Sequence, residues 1–200
     1  MFNHSDKDKT TRGSILNATL ELIKTEGLDN VTSRKIASCA AVNLALINYY
    51  FGSKENLVNE SLQMLLADFQ EHFLILDDFT LPPKQRLKTF LNQYAASVCR
   101  FPELVRELLG KGELSFDSHK EYVKYMKTLG VSKIELTIRE ITGEEDPDKL
   151  RIMLMHIHSA VFFPIMISQK TRDFSPAPMC CSHELQIDIL LDHYFAKYAD

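Results

Sequence analysis

The sequence predicts an all-α protein, and three observations carry that expectation. Apolar residues recur at three- and four-residue spacing along nearly the whole chain. Capping residues, among them Thr32, Asn43, Ser53 and Asp146, stand where these stripes begin. Gly and Pro number seven each in 200 residues and Trp is absent. That leaves too little punctuation for many short strands joined by turns.

The elements follow in order. Ile15, Leu16, Thr19, Leu22 and Ile23 form the first stripe, and Gly27 reads as its C-terminal stop. Thr32 caps a short helix with Ile36 and Ala37 on one face. After a turn at Ala41 and Val42, Asn43 caps a second short helix through Leu44, Ala45, Ile47 and Asn48. Phe51-Gly52-Ser53 breaks it, and Ser53 caps a longer helix whose stripe runs from Leu57 to Phe73. Pro82-Pro83 is the sharpest boundary, because neither residue donates a backbone hydrogen bond. Leu87, Phe90, Leu91, Tyr94 and Val98 make the next stripe. Pro102 fits the first turn of a short helix ending near Gly110 and Gly112. One long helix is expected from about Ser118 to Thr142, stopped by Gly143. Asp146-Pro147 opens another that runs to about Gln169. Thr171 to Ser182 reads as a loop, and a last helix runs from His183 to about Tyr198.

Composition excludes several classes. A charged fraction of 25% and a hydrophobic fraction of 45% are ordinary for a globular chain and rule out a disordered tail or a collagen-like repeat. The longest apolar stretch, Ala160 to Ile167, is far short of the ~20 residues of a membrane span. The polar segment Met1 to Gly13 lacks a secretory h-region, so the expected location is cytoplasmic, with no membrane partner. Cys39, Cys99, Cys180 and Cys181 show no disulfide framework and read as reduced thiols. The net charge of −4 and pI near 6.0 do not advertise a phosphate partner over the whole surface. Any nucleic-acid binding must come from a local arrangement.

Such an arrangement lies between Thr32 and Lys54: a short helix, a tight turn, a second short helix and a capped start to a third. That is helix-turn-helix geometry, in which the second helix offers its N-terminal residues to the major groove. A plain cluster of three helices would share the outline, so the detailed sequence decides. Ile15-Leu16-Asn17-Ala18, Glu26-Gly27, Val31-Thr32, Ile36-Ala37 and Val42-Asn43 precede Ile47-Asn48-Tyr49-Tyr50-Phe51-Gly52-Ser53-Lys54-Glu55-Asn56-Leu57. In that order and spacing the chain resembles the TetR (tetracycline-repressor-like) family of transcriptional regulators from about Arg12 to Leu62. Beyond Leu62 the resemblance is one of helix count and length.

The resemblance implies an N-terminal three-helix DNA-binding domain in residues 1–53. It also implies a helical effector-binding and dimerisation domain in residues 54–200. Thr32 and Ser33 sit at a helix N-terminus, where free N–H groups and hydroxyls suit a phosphate oxygen. Lys54 looks like the family's phosphate-clamping lysine, and Tyr49 matches a tyrosine whose hydroxyl reaches the DNA backbone. Asn43, Leu44, Ala45 and Asn48 are candidates for groove contact. Asn pairs bidentately with adenine, and Leu44 suits a thymine methyl. Tyr50 and Phe51 are expected to plug the helical core. Two positions depart from the family pattern: Ala45-Leu46 replaces a common Gly-Thr, and Asn48 a common Tyr. The hydroxyl contact at position 46 is therefore not carried over. Lys7, Lys9, Arg12, Arg34, Lys35 and Lys54 stand against several acids, which favours dependence on dimer geometry over high non-specific affinity.

Other constellations carry less. His156 and His158 are two apart and point to different faces of a helix, so they read as core or pocket histidines. Cys180, Cys181 and His183 lack a fourth metal ligand. Neither a cofactor nor a metal is expected. No phosphate-cradling glycine loop, nucleophile elbow or HExxH occurs, so catalysis has no support.

The reading that results is a homodimeric repressor that binds a palindromic double-stranded DNA operator and is released by a small apolar or amphipathic effector. A helical small-molecule sensor that does not act on DNA is the alternative. Met155, Ile157, Leu185, Ile189 and Leu190 add apolar surface to the last two helices, and the resemblance implies that these helices form a four-helix interface with a second copy. Pro164 falls inside a helical stripe, where it cannot donate to the Ala160 carbonyl. Either it only shapes packing, or it widens a pocket beside Phe162, Phe163 and Met166 whose other walls are Tyr94, Val98, Tyr122 and Met126.

Overall fold

The computed structural model describes residues 4–101, 104, 107, 116–167 and 182–198. Nine α-helices are bounded within them: α1 (His4–Glu26), α2 (Ser33–Cys39), α3 (Leu44–Phe51), α4 (Lys54–Glu71), α5 (Pro83–Arg100), α6 (Asp117–Tyr125), α7 (Val131–Thr142), α8 (Pro147–Ile167) and α9 (His183–Tyr194). Turns of 3₁₀ type occur at Leu28–Asn30, His72–Asp77 and Ala196–Tyr198, and a π turn at Met126–Gly130. The fold is all-α, with no strand among the described residues. Nor is any described helix long and apolar enough to cross a membrane.

The chain packs as two compact units, Met1–Asp68 with Glu103–Tyr122, and Phe69–Pro102 with Val123–Asp200. The division expected at residues 53 and 54 is one of function, whereas packing divides the chain inside α4. The reason is aromatic: Phe69 and Phe73 reach the Tyr94 ring of α5, at 5.2 and 5.8 Å between centroids.

In the first unit, Ile15, Ile23, Ile36, Ile47, Leu57 and Leu62 are fully buried and close a small core among α1–α4. The ends of its helices are set by local hydrogen bonds. Thr32 Oγ1 accepts from the Lys35 N–H at 3.3 Å, Asn43 Oδ1 from Ala45 at 2.8 Å, and Ser53 Oγ from Asn56 at 3.1 Å. Helix α2 ends in a Schellman motif: Val42 N–H donates to the Ala37 carbonyl at 2.9 Å and Ala41 N–H to Ser38 at 3.2 Å. The left-handed residue of that motif is Ala41, at φ 53°, where glycine is usual. At Gly27 (φ +78°) a side chain would also meet Glu107 Oε1 at 2.8 Å. That carboxylate accepts from the Leu28 N–H at 3.3 Å.

In the second unit, α5 packs against the 72–77 turn, α7, α8 and α9. Pro83 opens α5 as expected. Arg86 is buried on α5; its Nη1 donates to the Leu76 carbonyl at 2.6 Å, Nη2 pairs with Glu140, and the guanidinium lies 4.9 Å from the Phe79 ring centre. The long helix expected from Ser118 to Thr142 is opened at its middle by the π turn, where Val131 N–H reaches back to the Met126 carbonyl. Gly143 stops α7 and Asp146 caps α8, its Oδ1 accepting from Asp148 N–H at 2.9 Å. Helix α9 ends at Tyr194, and a separate 3₁₀ turn continues to Tyr198. The expected turn at Pro102, the stops at Gly110 and Gly112, and the loop at 171–181 lie outside the described residues, as do Cys180 and Cys181. Cys39 and Cys99 are exposed thiols.

Candidate nucleic-acid interface and interior cavity

Helix α3 has two faces because its residues step 100° apart. Ile47 and Phe51 point into the first unit's core, at 0% and 5% exposure. Ala45 and Tyr49 fall on the opposite side with Asn48 at its border, and all three are exposed, Tyr49 at 75%; Leu44, three residues before Ile47, shares its side but is 40% exposed at the start of the helix. Asn43 is exposed too, but its Oδ1 is engaged by the Ala45 N–H, which leaves its amide nitrogen to face outward. Phe51 plugs the core as expected; Tyr50 is half-buried and meets the Tyr49 ring edge-on at 4.9 Å.

Lys54 opens α4, and its Nζ lies 3.5 Å from the carbonyl of Val31, the residue just before the Thr32 cap. The ammonium is thereby held beside the N-terminus of α2, where Thr32 is exposed and Ser33 half-exposed. One neighbourhood therefore holds three phosphate-suited groups: free N–H donors, two hydroxyls and a cation. Two other nearby cations are tied down. Arg12 pairs with Glu60 and stacks over Phe51 at 4.9 Å, while Lys35 pairs with Glu26 and donates to the Asn30 carbonyl at 3.1 Å. The sequence sets Arg12 and Lys35 against several acids without saying which. Their partners sit 48 and 9 residues away, so only the fold reveals the pairing.

The second unit holds a cavity of about 40 Å³ lined by Phe73, Phe90, Leu91, Tyr94, Met126, Ile134, Leu154, Ile157, His158 and Phe162. Three of the expected pocket residues, Tyr94, Met126 and Phe162, come together there. The others do not. Phe163 is 62% exposed, because it follows Phe162 by one 100° step and turns to the other side of α8. Val98 is buried but lies a turn beyond the cavity wall, and Tyr122 belongs to the first unit. The Met166 side chain lies outside the described residues. The sequence did not assign Phe73, Phe90, Leu91, Ile134, Leu154 or Ile157 to a pocket, and it read His158 as a core or pocket histidine. The His158 ring sits 4.6 Å from the Phe162 ring, and desolvation pushes its pKa below the usual imidazole range although its outer edge is exposed. His156 instead faces Tyr194, Nδ1 to Oη 3.3 Å. Among the described residues no group of three or more His, Cys, Asp or Glu could hold a metal.

Pro164 is not part of the cavity wall. The Ala160 carbonyl it leaves without a helical donor accepts from Gln186 Nε2 of α9. Nearby, Ile152, Met155, Phe163, Leu185 and Ile189 are each more than half exposed on α8 and α9. Ile157, expected among them, is instead 1% exposed and lines the cavity; Leu190 is half-buried.

Two short capped helices at a tight turn, the second with an outward face, form the helix-turn-helix of a DNA-binding transcriptional regulator. Residues 15–61 match the model for bacterial regulatory proteins of the tetR family. Among curated relatives, the HTH-type transcriptional regulator BetI of Rhizobium meliloti is 25% identical over 142 residues, 70% of each chain. The BetI of Agrobacterium fabrum is 29% identical over 59% of each chain, less than two thirds of that relative's length. The HTH-type transcriptional repressor NicS of Pseudomonas putida is 32% identical over 48% of this chain and 45% of its own. Among solved structures, a TetR-like regulator from a Rhodococcus species superimposes with a TM-score of 0.66 at 16% identity over 94% of both chains. A tetR-family regulator from Streptomyces coelicolor gives 0.64 at 20% identity, over 95% of this chain and 80% of its own. At those identities the structures speak for the fold alone.

Proposed function

We propose that the protein is a cytoplasmic repressor that binds a palindromic operator as a homodimer and releases it when a small apolar or amphipathic effector enters the second unit. One observation carries the DNA-binding part: the exposed face of α3 stands opposite its buried Ile47 and Phe51, with Lys54 and the α2 N-terminus beside it. Residues 1–53 supply that reading head, in which Asn43, Leu44, Ala45 and Asn48 meet base edges. Thr32, Ser33, Tyr49 and Lys54 hold phosphates. Residues 54–200 supply the effector cavity and the dimer face.

A recognition helix of eight residues reads few bases, so specificity needs two half-sites about 34–36 Å apart and a two-fold protein. The exposed row Ile152, Met155, Phe163, Leu185 and Ile189 supports that assembly, since an apolar surface of this kind is costly in water. The effector reading rests on the mostly hydrocarbon wall around Tyr94. A mobility-shift assay with DNA from upstream of the protein's own gene, paired with sedimentation at micromolar concentration, tests the proposal. Sequence-selective binding by a dimer is the expected result; a monomer, or no preference over unrelated DNA, overturns it.

A further inference from the structure

The cavity around Tyr94 is too small to hold more than a water-sized guest as it stands, at about 40 Å³. A ligand must therefore move part of the wall. Most of that wall is fixed: Phe73, Phe90, Leu91 and Ile157 are at most 3% exposed and carried on regular or tightly packed segments. Met126 differs in two ways. Its unbranched thioether has three rotatable bonds beyond the backbone and fills irregular space readily. It also begins the π turn Met126–Gly130, the one break in the helical run from Asp117 to Thr142. Such turns hold an extra residue that a helix can shed or shift.

Gly130, at the other end of the turn, is buried and explains how Met126 is accommodated. A Cβ there would lie 2.9 Å from Met126 Sδ, closer than such contacts tolerate, and 3.2 Å from Phe73 Cε1, a tight contact that a shift of a few tenths of an ångström relieves. The missing side chain is the space into which the thioether folds. Phe73, on its far side, is held by Phe90 at 4.7 Å and Tyr125 at 5.6 Å, so the larger displacement falls to the thioether.

We propose that Met126, borne on the π turn and seated against Gly130, is the movable wall that sets the size of apolar ligand the cavity admits. The guest it suits is a small aromatic or branched hydrocarbon body, because Phe73, Phe90, Tyr94 and Phe162 present ring faces and edges on the remaining sides. A single hydrogen-bonding tip would lie toward His158, the only imidazole on the lining. This deepens the effector reading and rests on it only for the consequence on DNA.

The test uses benzene as the probe and the full chain as its dimer, with affinity read by NMR titration. Met126→Ala removes three side-chain atoms and enlarges the cavity toward the ~150 Å³ at which dry apolar cavities take benzene. It should bind about tenfold more tightly than the unaltered protein. In the unaltered protein the Met126 methyl signal should shift on titration, while that of exposed Met155 stays still. Gly130→Ala should weaken binding at least about tenfold by driving the thioether into the cavity. Combining it with Met126→Ala should restore binding, since the sulfur that opposes the new methyl is gone. Equal affinity in the unaltered protein and Met126→Ala, or a double variant that recovers nothing, overturns the assignment. Benzene binding in the expected order with no change in operator affinity leaves Met126 as the wall and removes the effector role instead.

Discussion

Replacing Gln186 with Leu keeps the volume of the side chain and deletes its one donor to the Ala160 carbonyl. In an ordinary helix that oxygen would accept from the N–H four residues on, but position 164 is proline and has none. The site is partly buried, so water replaces the lost donor incompletely. An orphaned carbonyl in such a place costs about 1–2 kcal/mol, which for a chain of this length corresponds to roughly 2–8 °C in Tm. The decisive measurement is a double-mutant cycle with Pro164→Ala. Alanine restores the backbone donor to Ala160, so Gln186 becomes redundant and its replacement should then cost less than about 0.5 kcal/mol. Urea unfolding followed by far-UV circular dichroism supplies the four stabilities. All four are taken at one protein concentration, because assembly adds to apparent stability. If Gln186→Leu costs the same in both backgrounds, the side chain is not compensating for the proline and the reasoning fails.

Lys54→Ala should weaken DNA binding about equally on every sequence and lower the slope of log affinity against log salt by about one ion; a slope that does not move would remove Lys54 from the phosphate contacts. Ala41→Gly should stabilise the protein by about 0.5–1 kcal/mol in thermal unfolding, since relief of the left-handed penalty of ~1–2 kcal/mol exceeds the backbone freedom gained by the unfolded chain; no gain would mean that the strain is relieved elsewhere. His158 has its pKa lowered in the folded state, so the unfolded chain binds the extra proton first and stability falls as pH drops through the ordinary imidazole pKa towards the lowered one. His158→Phe should flatten the Tm profile between about pH 7 and 5, and an unchanged profile would show that the ring does not titrate differently on folding.

What was legible in the sequence was set by local chemistry. Thr32, Asn43 and Ser53 cap the helices expected of them because an N-cap needs only a side-chain oxygen within three residues of an orphan N–H. The outward face of α3 was legible for the same reason, since helical phase alone separates Asn48 from Ile47. The cavity was not. Its wall is assembled from α5, α7, α8, the π turn and the 72–77 turn, and nothing in Met126-Lys127-Thr128-Leu129-Gly130 marks a π turn locally. Phe163 was placed on the wrong side because the apolar run Ala160 to Ile167 is hydrophobic all round and fixes no phase. The left-handed turn at Ala41 went unseen as well, because the residue that announces such a conformation is glycine.

The ion pairs of Arg12 and Lys35 with Glu60 and Glu26 have a consequence for a regulator inside a cell. Each cation already neutralised within the fold is one fewer displacing counterions from any stretch of duplex. A bacterial chromosome offers about 10⁶ or more competing sites, and a regulator with high general affinity is titrated onto them. A reading head that spends two of its cations on its own carboxylates leaves a larger share of the protein unbound. Fewer copies per cell then suffice to keep a given DNA site occupied.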